Sequence, residues 1–125
     1  MSQNILVATK STPKIVFNTD KNHLLIEGRS LPENTKNFYK QVENWMRYFK
    51  PENGSVITME MKFVYVSTSS LIAIIAIIKK MKAFSENGCK LIIKWFYEKH
   101  DDDMVNIGEN IASVIKIDDF KFIEM

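Results

Sequence analysis

The sequence predicts a single α/β domain over residues 1–125, a mixed sheet of about five strands packed with three helices in the order β-β-α-β-α-β-α-β. Three observations lead there. From residue 34 onward, segments of helical apolar spacing alternate with segments of strand character, and strands joined through helices pair in parallel by right-handed crossovers. Before residue 34, two short apolar runs flank a turn-rich stretch, the mark of an antiparallel hairpin. No repeat, linker or low-complexity stretch divides the 125 residues.

Each element has its own signal. Ile5 to Val7 reads as a short lead with strand character, and Pro13 breaks the chain after it. Ile15-Val16-Phe17 and His23 to Glu27 flank Asn18-Thr19-Asp20-Lys21-Asn22, which is turn chemistry. Asn34 is placed to cap a helix running to Lys50, with Phe38, Val42, Trp45, Met46 and Phe49 at helical spacing. Pro51 and Gly54 end it. Val56 to Val66 alternates as a long strand, with Ile57, Met59, Met61, Phe63 and Tyr65 on one face and Thr58, Glu60 and Lys62 on the other. Glu60 and Lys62 read as a cross-strand or helix-facing polar pair, and His23 as a surface residue. A helix from Ser69 to Asn87 closes at Asn87-Gly88. Its Ile-rich start resembles a buried strand, but its length favours a helix. Lys90 to Glu98 is another strand, Asp101-Asp102-Asp103 opens a shorter helix carrying Met104, Ile107 and Ile111, and Phe120 to Ile123 is the last strand. Whether the helices cover one face of the sheet or both is left open.

Composition narrows the function classes. Apolar residues make up 46% and charged residues 26%, the profile of a folded chain. Seventeen basic against fifteen acidic residues, with the lysines scattered, lack the concentrated basic face that a phosphate backbone requires, which argues against nucleic acid. Cys89 is the only cysteine, so no disulfide framework or cysteine-based metal site is expected, and it reads as a small core residue. The longest apolar run, Leu71 to Ile78, is far shorter than the ~20 residues of a membrane helix, and Met1 to Thr12 lack a signal-peptide layout; a cytoplasmic protein with no membrane role follows. Gly28, Gly54, Gly88 and Gly108 are isolated, so no phosphate-binding glycine loop is present, and no nucleophile-base pairing suggests itself. Neither catalysis nor a cofactor is expected.

The segment that stands out is Ser67-Thr68-Ser69-Ser70. Hydroxyl residues are preferred helix caps, but a cap uses one side chain. A helix N-terminus also suits a phosphate, whose oxygens meet free backbone N–H groups and the positive end of the dipole. The following helix is apolar all round, which calls for burial on every side or for a partner on the remaining strip. Thr68, Ser69, Leu71, Ile72 and Ile75 form that candidate partner surface. A competing reading makes His100 with Asp101, Asp102 and Asp103 the site of a small metal-dependent enzyme. Consecutive carboxylates on a helix diverge, however, and acids in a first turn are explained by the dipole. A constitutive oligomerising scaffold is a third reading, with the apolar helix as its self-interface.

Ser11-Thr12-Pro13, Leu31-Pro32-Glu33-Asn34, the Trp45-containing helix, Tyr65-Val66-Ser67-Thr68-Ser69-Ser70 and Trp95-Phe96-Tyr97, in that order, resemble the SiaC family of bacterial regulatory phosphoproteins. The resemblance runs from about Thr9 to the last strand. It implies an architecture similar to anti-sigma-factor antagonists and no catalysis of the chain's own. It also implies phosphorylation by a dedicated kinase at Thr68, the threonine of the Thr-Ser-Ser motif, with Ser69 and Ser67 as the fallback positions. A metal-dependent protein phosphatase would reverse it. The output partner implied is a diguanylate cyclase, which links the family to cyclic-di-GMP signalling and biofilm behaviour. The sequence departs from the family's pattern at Ser67, where asparagine is expected, and in a more Ile-rich helix after the site. Whether phosphate activates or releases the output partner, and whether the chain oligomerises, stays open.

Overall fold

The computed structural model describes residues 3–117 and 119–125; Met1, Ser2 and Asp118, which the one-domain reading includes, lie outside them. The elements are β1 (Gln3–Leu6), β2 (Lys14–Asn18), β3 (His23–Ser30), α1 (Thr35–Arg47), β4 (Val56–Val66), α2 (Thr68–Glu86), β5 (Lys90–Tyr97), α3 (Asp102–Ile115) and β6 (Asp119–Glu124). The sheet therefore has six strands, not about five. The added strand is β1, which covers part of the Ile5–Val7 lead and pairs antiparallel with β2, Ile5 opposite Val16. Four half-exposed residues carry too little periodicity to be legible before the partner strand is known.

Strand order follows chain order, β1-β2-β3-β4-β5-β6. The first three strands are antiparallel neighbours and the last four run parallel. Each helix makes one parallel crossover, and each crossover advances one strand in the same direction. Repeating a right-handed crossover without reversing direction puts every helix on the same face. Burial agrees: Phe17, Leu24, Met59, Ile93 and Trp95 are buried on the helix side, while Val16, Leu25, Thr58, Glu60 and Ile92 on the other side remain half-buried. The face left open by the sequence reading is thus the one that carries Glu60 and Lys62. Glu60 Oε1 pairs with His23 Nε2 on β3 at 2.7 Å, and Lys62 Nζ lies 4.6 Å from the centre of the Phe96 ring on β5. Both partners are on neighbouring strands and neither residue faces a helix.

α2 is the central helix, flanked by α1 and α3. Ile74, Ile77, Ile78 and Met81 enter the core. This position explains its unstriped sequence, because a helix with a sheet beneath and a helix on each side buries most of its circumference. α3 sits close to β5: the buried Trp95 indole donates from Nε1 to Met104 O at 2.9 Å, and Gly108 lies against the same ring. Cys89 is buried at the base of β5, as expected of a core thiol.

One strand departs from its alternation. β3 and β4 pair in register up to Gly28 opposite Phe63, then Arg29 pairs with Tyr65, leaving Val64 as an extra residue. This bulge inverts the sidedness of the last two positions of β4. Val66 turns into the core, and Tyr65, expected on the core face, is 46% exposed with the Arg29 guanidinium 5.7 Å from its ring centre.

Candidate functional site

The hydroxyl segment lies where β4 ends and α2 begins, at the carboxyl edge of the parallel strands. Its four side chains have separate fates.

Ser67 is the cap. Its backbone is extended (φ −74°, ψ 162°), and its Oγ accepts from the Ser70 amide at 3.2 Å. Its own amide donates to Ser30 O at 2.9 Å, fastening the start of α2 to the end of β3. α2 accordingly starts at Thr68, one residue before the sequence reading placed it. Serine and asparagine cap about equally well, so the departure from the expected asparagine keeps the local architecture.

Ser70 is fully buried. Its Oγ donates to Ser30 O at 3.1 Å and accepts from the hydroxyls of Ser30 at 2.8 Å and Ser67 at 2.9 Å. The Ser30 hydroxyl is in turn 2.5 Å from the Tyr39 hydroxyl of α1. Since Ser30 spends its proton on Ser70, Tyr39 donates to Ser30. Burial pushes the Tyr39 phenol up to about 12, against the opposing pull of the nearby Ser30 and Ser70 hydroxyls. This chain of three buried hydroxyls ties β3, α1 and α2 together beneath the site. The sequence reading missed it. Tyr39 does share helical spacing with Val42 and Met46, the signal that could have placed it on the core face.

Ser69 is exposed, but its Oγ lies 2.8 Å from Thr35 Oγ1 on α1 and 3.3 Å from Ser67 Oγ. Thr68 is also exposed, and its hydroxyl has no hydrogen-bond partner among the described residues. Three hydroxyls hold structure and the fourth is presented to solvent. The amides of Thr68 and Ser69, in the first turn of α2, have no intrahelical acceptor, so the local field is positive.

Apolar surface adjoins Thr68. Ile72, one turn along α2, is 67% exposed. Leu71 and Ile75 are half-buried and line one wall of a groove of about 140 Å³ whose other wall is Ile107, Ile111 and Val114 of α3. Toward the sheet edge a second concavity shares Ile107 and Asn110 and continues past Val64, Tyr65, Asp101 and Asp103. Of the five residues of the expected partner surface, Leu71 and Ile75 face α3, Ser69 meets Thr35 of α1, and Thr68 and Ile72 are exposed. Val114 lines the α3 side of that groove, and Val64 and Tyr65 line the concavity toward the sheet edge. The bulge that exposes Val64 and Tyr65 left no mark in the strand's sequence pattern.

The acidic run takes a structural part. Asp101 caps α3, its Oδ1 accepting from the Met104 amide at 3.1 Å, and Asp102 and Asp103 occupy the first turn. His100 precedes them in a left-handed conformation (φ 70°) and is exposed. Among the described residues no three His, Cys, Asp or Glu side chains come together in a way that would hold a metal, and no helix is long and apolar enough to cross a membrane.

With this geometry in view, comparison with known proteins gives a consistent result. An uncharacterised protein of Pseudomonas aeruginosa strain UCBPP-PA14 is 25% identical over 109 residues, covering 87% of this chain and 86% of its own length. Among solved structures, SiaC of Pseudomonas aeruginosa superposes with a TM-score of 0.87 at 22% identity, over 100% of both chains. The crystal structure of the diguanylate cyclase SiaD in complex with its activator SiaC, from the same species, matches with a TM-score of 0.88 at 21% identity, over 98% of this chain and 99% of the matched one. These likenesses show the fold. The family model for SiaC family regulatory phosphoproteins matches residues 6–125, and the chain belongs to that family.

Proposed function

We propose that this chain is a cytoplasmic, non-enzymatic regulatory domain spanning residues 1–125 and switched by reversible phosphorylation of Thr68. The observation that carries the reading is the division among the four hydroxyls. Only Thr68 Oγ1 is both exposed and uncommitted; Ser67 caps, Ser70 is buried and saturated, and Ser69 is engaged with Thr35. A kinase can therefore reach Thr68 without unfolding the turn. The phosphate, once attached, sits beside free first-turn amides and in the positive field of α2, which stabilise it.

The partners are a protein kinase, a metal-dependent protein phosphatase and an output protein, for which a diguanylate cyclase is the leading candidate. Support for the last comes from the matched SiaC, described as the activator of the diguanylate cyclase SiaD. The surface engaged is Thr68 and Ser69 with Leu71, Ile72 and Ile75. A doubly charged group brought against Ile72 and the α2–α3 groove changes a contact that is otherwise apolar, so modification and binding are coupled.

The test is intact-mass and peptide mass spectrometry on protein recovered from its native cells under several growth conditions, alongside Thr68→Ala. A single phosphate on Thr68, absent in Thr68→Ala, supports the switch. Phosphate on Ser69 or Ser67 instead, or none under any condition, overturns it.

A further inference from the structure

The hydroxyls of Ser69 and Thr35 lie 2.8 Å apart and join the first turn of α2 to the first turn of α1, across 34 residues of sequence. We propose that this bond is a latch that a phosphate on Thr68 opens, so that the state of Thr68 is also displayed on α1. The inference rests on the reading of Thr68 as the phosphorylated residue and names a positioning residue, Thr35, that lies outside the hydroxyl segment.

The chemistry follows from competition for one hydroxyl. Ser69 Oγ has only neutral partners, Thr35 and, more distantly, Ser67. A phosphate on the adjacent Thr68 brings three acceptor oxygens and close to two negative charges. A hydroxyl donating to a phosphate oxygen makes a bond roughly twice as strong as one between neutral hydroxyls. Ser69 is exposed and free to change rotamer, whereas Ser70 is not. Neighbouring side chains on a helix diverge, so Ser69 reaches the phosphate only by leaving its present rotamer, and that movement, not the proton alone, takes its Oγ away from Thr35.

The effect stays local. At the far end of the same helix pair, Lys80 Nζ holds Glu43 Oε1 at 2.6 Å. Below, the buried Tyr39–Ser30–Ser70 chain keeps α1 docked. Asn34 continues to cap α1 through the Asn37 amide. What loosens is the first turn of α1, ahead of Tyr39. Its exposed residues, Lys36 and Asn37, lie beside the site. A partner that touches this turn reads the phosphate without contacting it.

The test uses the full chain with phosphothreonine incorporated at position 68 during synthesis, so the latch is examined whether or not cells modify Thr68. Amide hydrogen exchange over residues 35–42 is the readout. Phosphate should raise exchange there by about five-fold, the weight of one neutral hydrogen bond. Unphosphorylated Thr35→Val and Ser69→Ala should already show the raised rate, and phosphate should add nothing further. Circular dichroism on each variant confirms that the fold is retained. Unchanged exchange in the phosphorylated wild type, or an equal increment in Thr35→Val, overturns the latch and leaves the assignment of Thr68 to mass spectrometry.

Discussion

The hydroxyls of Ser30 and Ser70 lie 2.8 Å apart with neither residue exposed, one at the end of β3 and the other in the first turn of α2. This contact separates the hydroxyls that hold the site from the one that is presented. With Tyr39 above and Ser67 beside it, it fixes the start of α2 to the sheet and to α1, so Thr68 projects from a rigid turn.

Ser67 should matter to stability and Thr68 should not. Ser67→Ala removes the cap and one of the three bonds at Ser70 Oγ; a loss of about 1–2 kcal/mol is expected in urea unfolding. Ser67→Asn restores the residue expected from the family and should stay within about 0.5 kcal/mol of wild type.

Thr68→Ala should leave the unfolding free energy from urea curves within about 0.5 kcal/mol of wild type, because the side chain makes no hydrogen bond among the described residues. Thr68→Glu should keep the circular dichroism spectrum, and its carboxylate near the α2 N-terminus is mildly stabilising. Its affinity for the output partner should change by more than ten-fold in isothermal calorimetry. Ile72→Lys should likewise keep the fold and weaken binding. Binding by Thr68→Glu and Ile72→Lys equal to that of wild type would remove this surface from the interface.

Tyr39 gives the fold a pH signature in alkali. Burial raises its phenol to about 12, whereas in the unfolded chain it ionises near the ordinary value of 10. Between those two values the folded protein holds a proton that the unfolded chain has lost. The contribution is therefore full below pH 10 and disappears as pH rises toward 12, with a slope approaching ~1.4 kcal/mol per pH unit. Tyr39→Phe should be about 1 kcal/mol less stable at pH 8 and should lose less stability than wild type between pH 10 and 12. Parallel urea curves for the two proteins across that range would contradict the assignment.

Gly108 is held by contact. A Cβ there would sit 2.6 Å from Trp95 Cδ1 and 2.7 Å from Phe122 Cε2. Phe122 is partly exposed and can move, but Trp95 is fully buried and anchored to Met104 O. Gly108→Ala gains about 1 kcal/mol in helix propensity yet should be destabilising by roughly 1–3 kcal/mol overall, as overpacked cores are. Thermal unfolding decides the sign.

Much of the fold was legible because local rules carried it. The turn chemistry between Phe17 and His23, the caps at Asn34 and Asn87, and the alternation of Ile57, Met59, Met61 and Phe63 depend on near neighbours in the chain. Where the chain alone was insufficient, the deciding contact was distant. β1 has too few residues to declare itself and becomes a strand because β2 offers it an edge. Tyr65 follows the alternation of its strand in sequence, but the register break opposite Gly28 and Arg29 turns it outward.

By itself, the sequence determined the α/β alternation, the family resemblance and the short list of four hydroxyls at the head of α2. Only the tertiary structure decided which of them is free. Residues with the same functional group are indistinguishable to local propensity, and their fates depend on what lies across the gap. Ser30 and Tyr39 claim Ser70, Thr35 claims Ser69, the first turn of α2 claims Ser67, and Thr68 is left facing solvent.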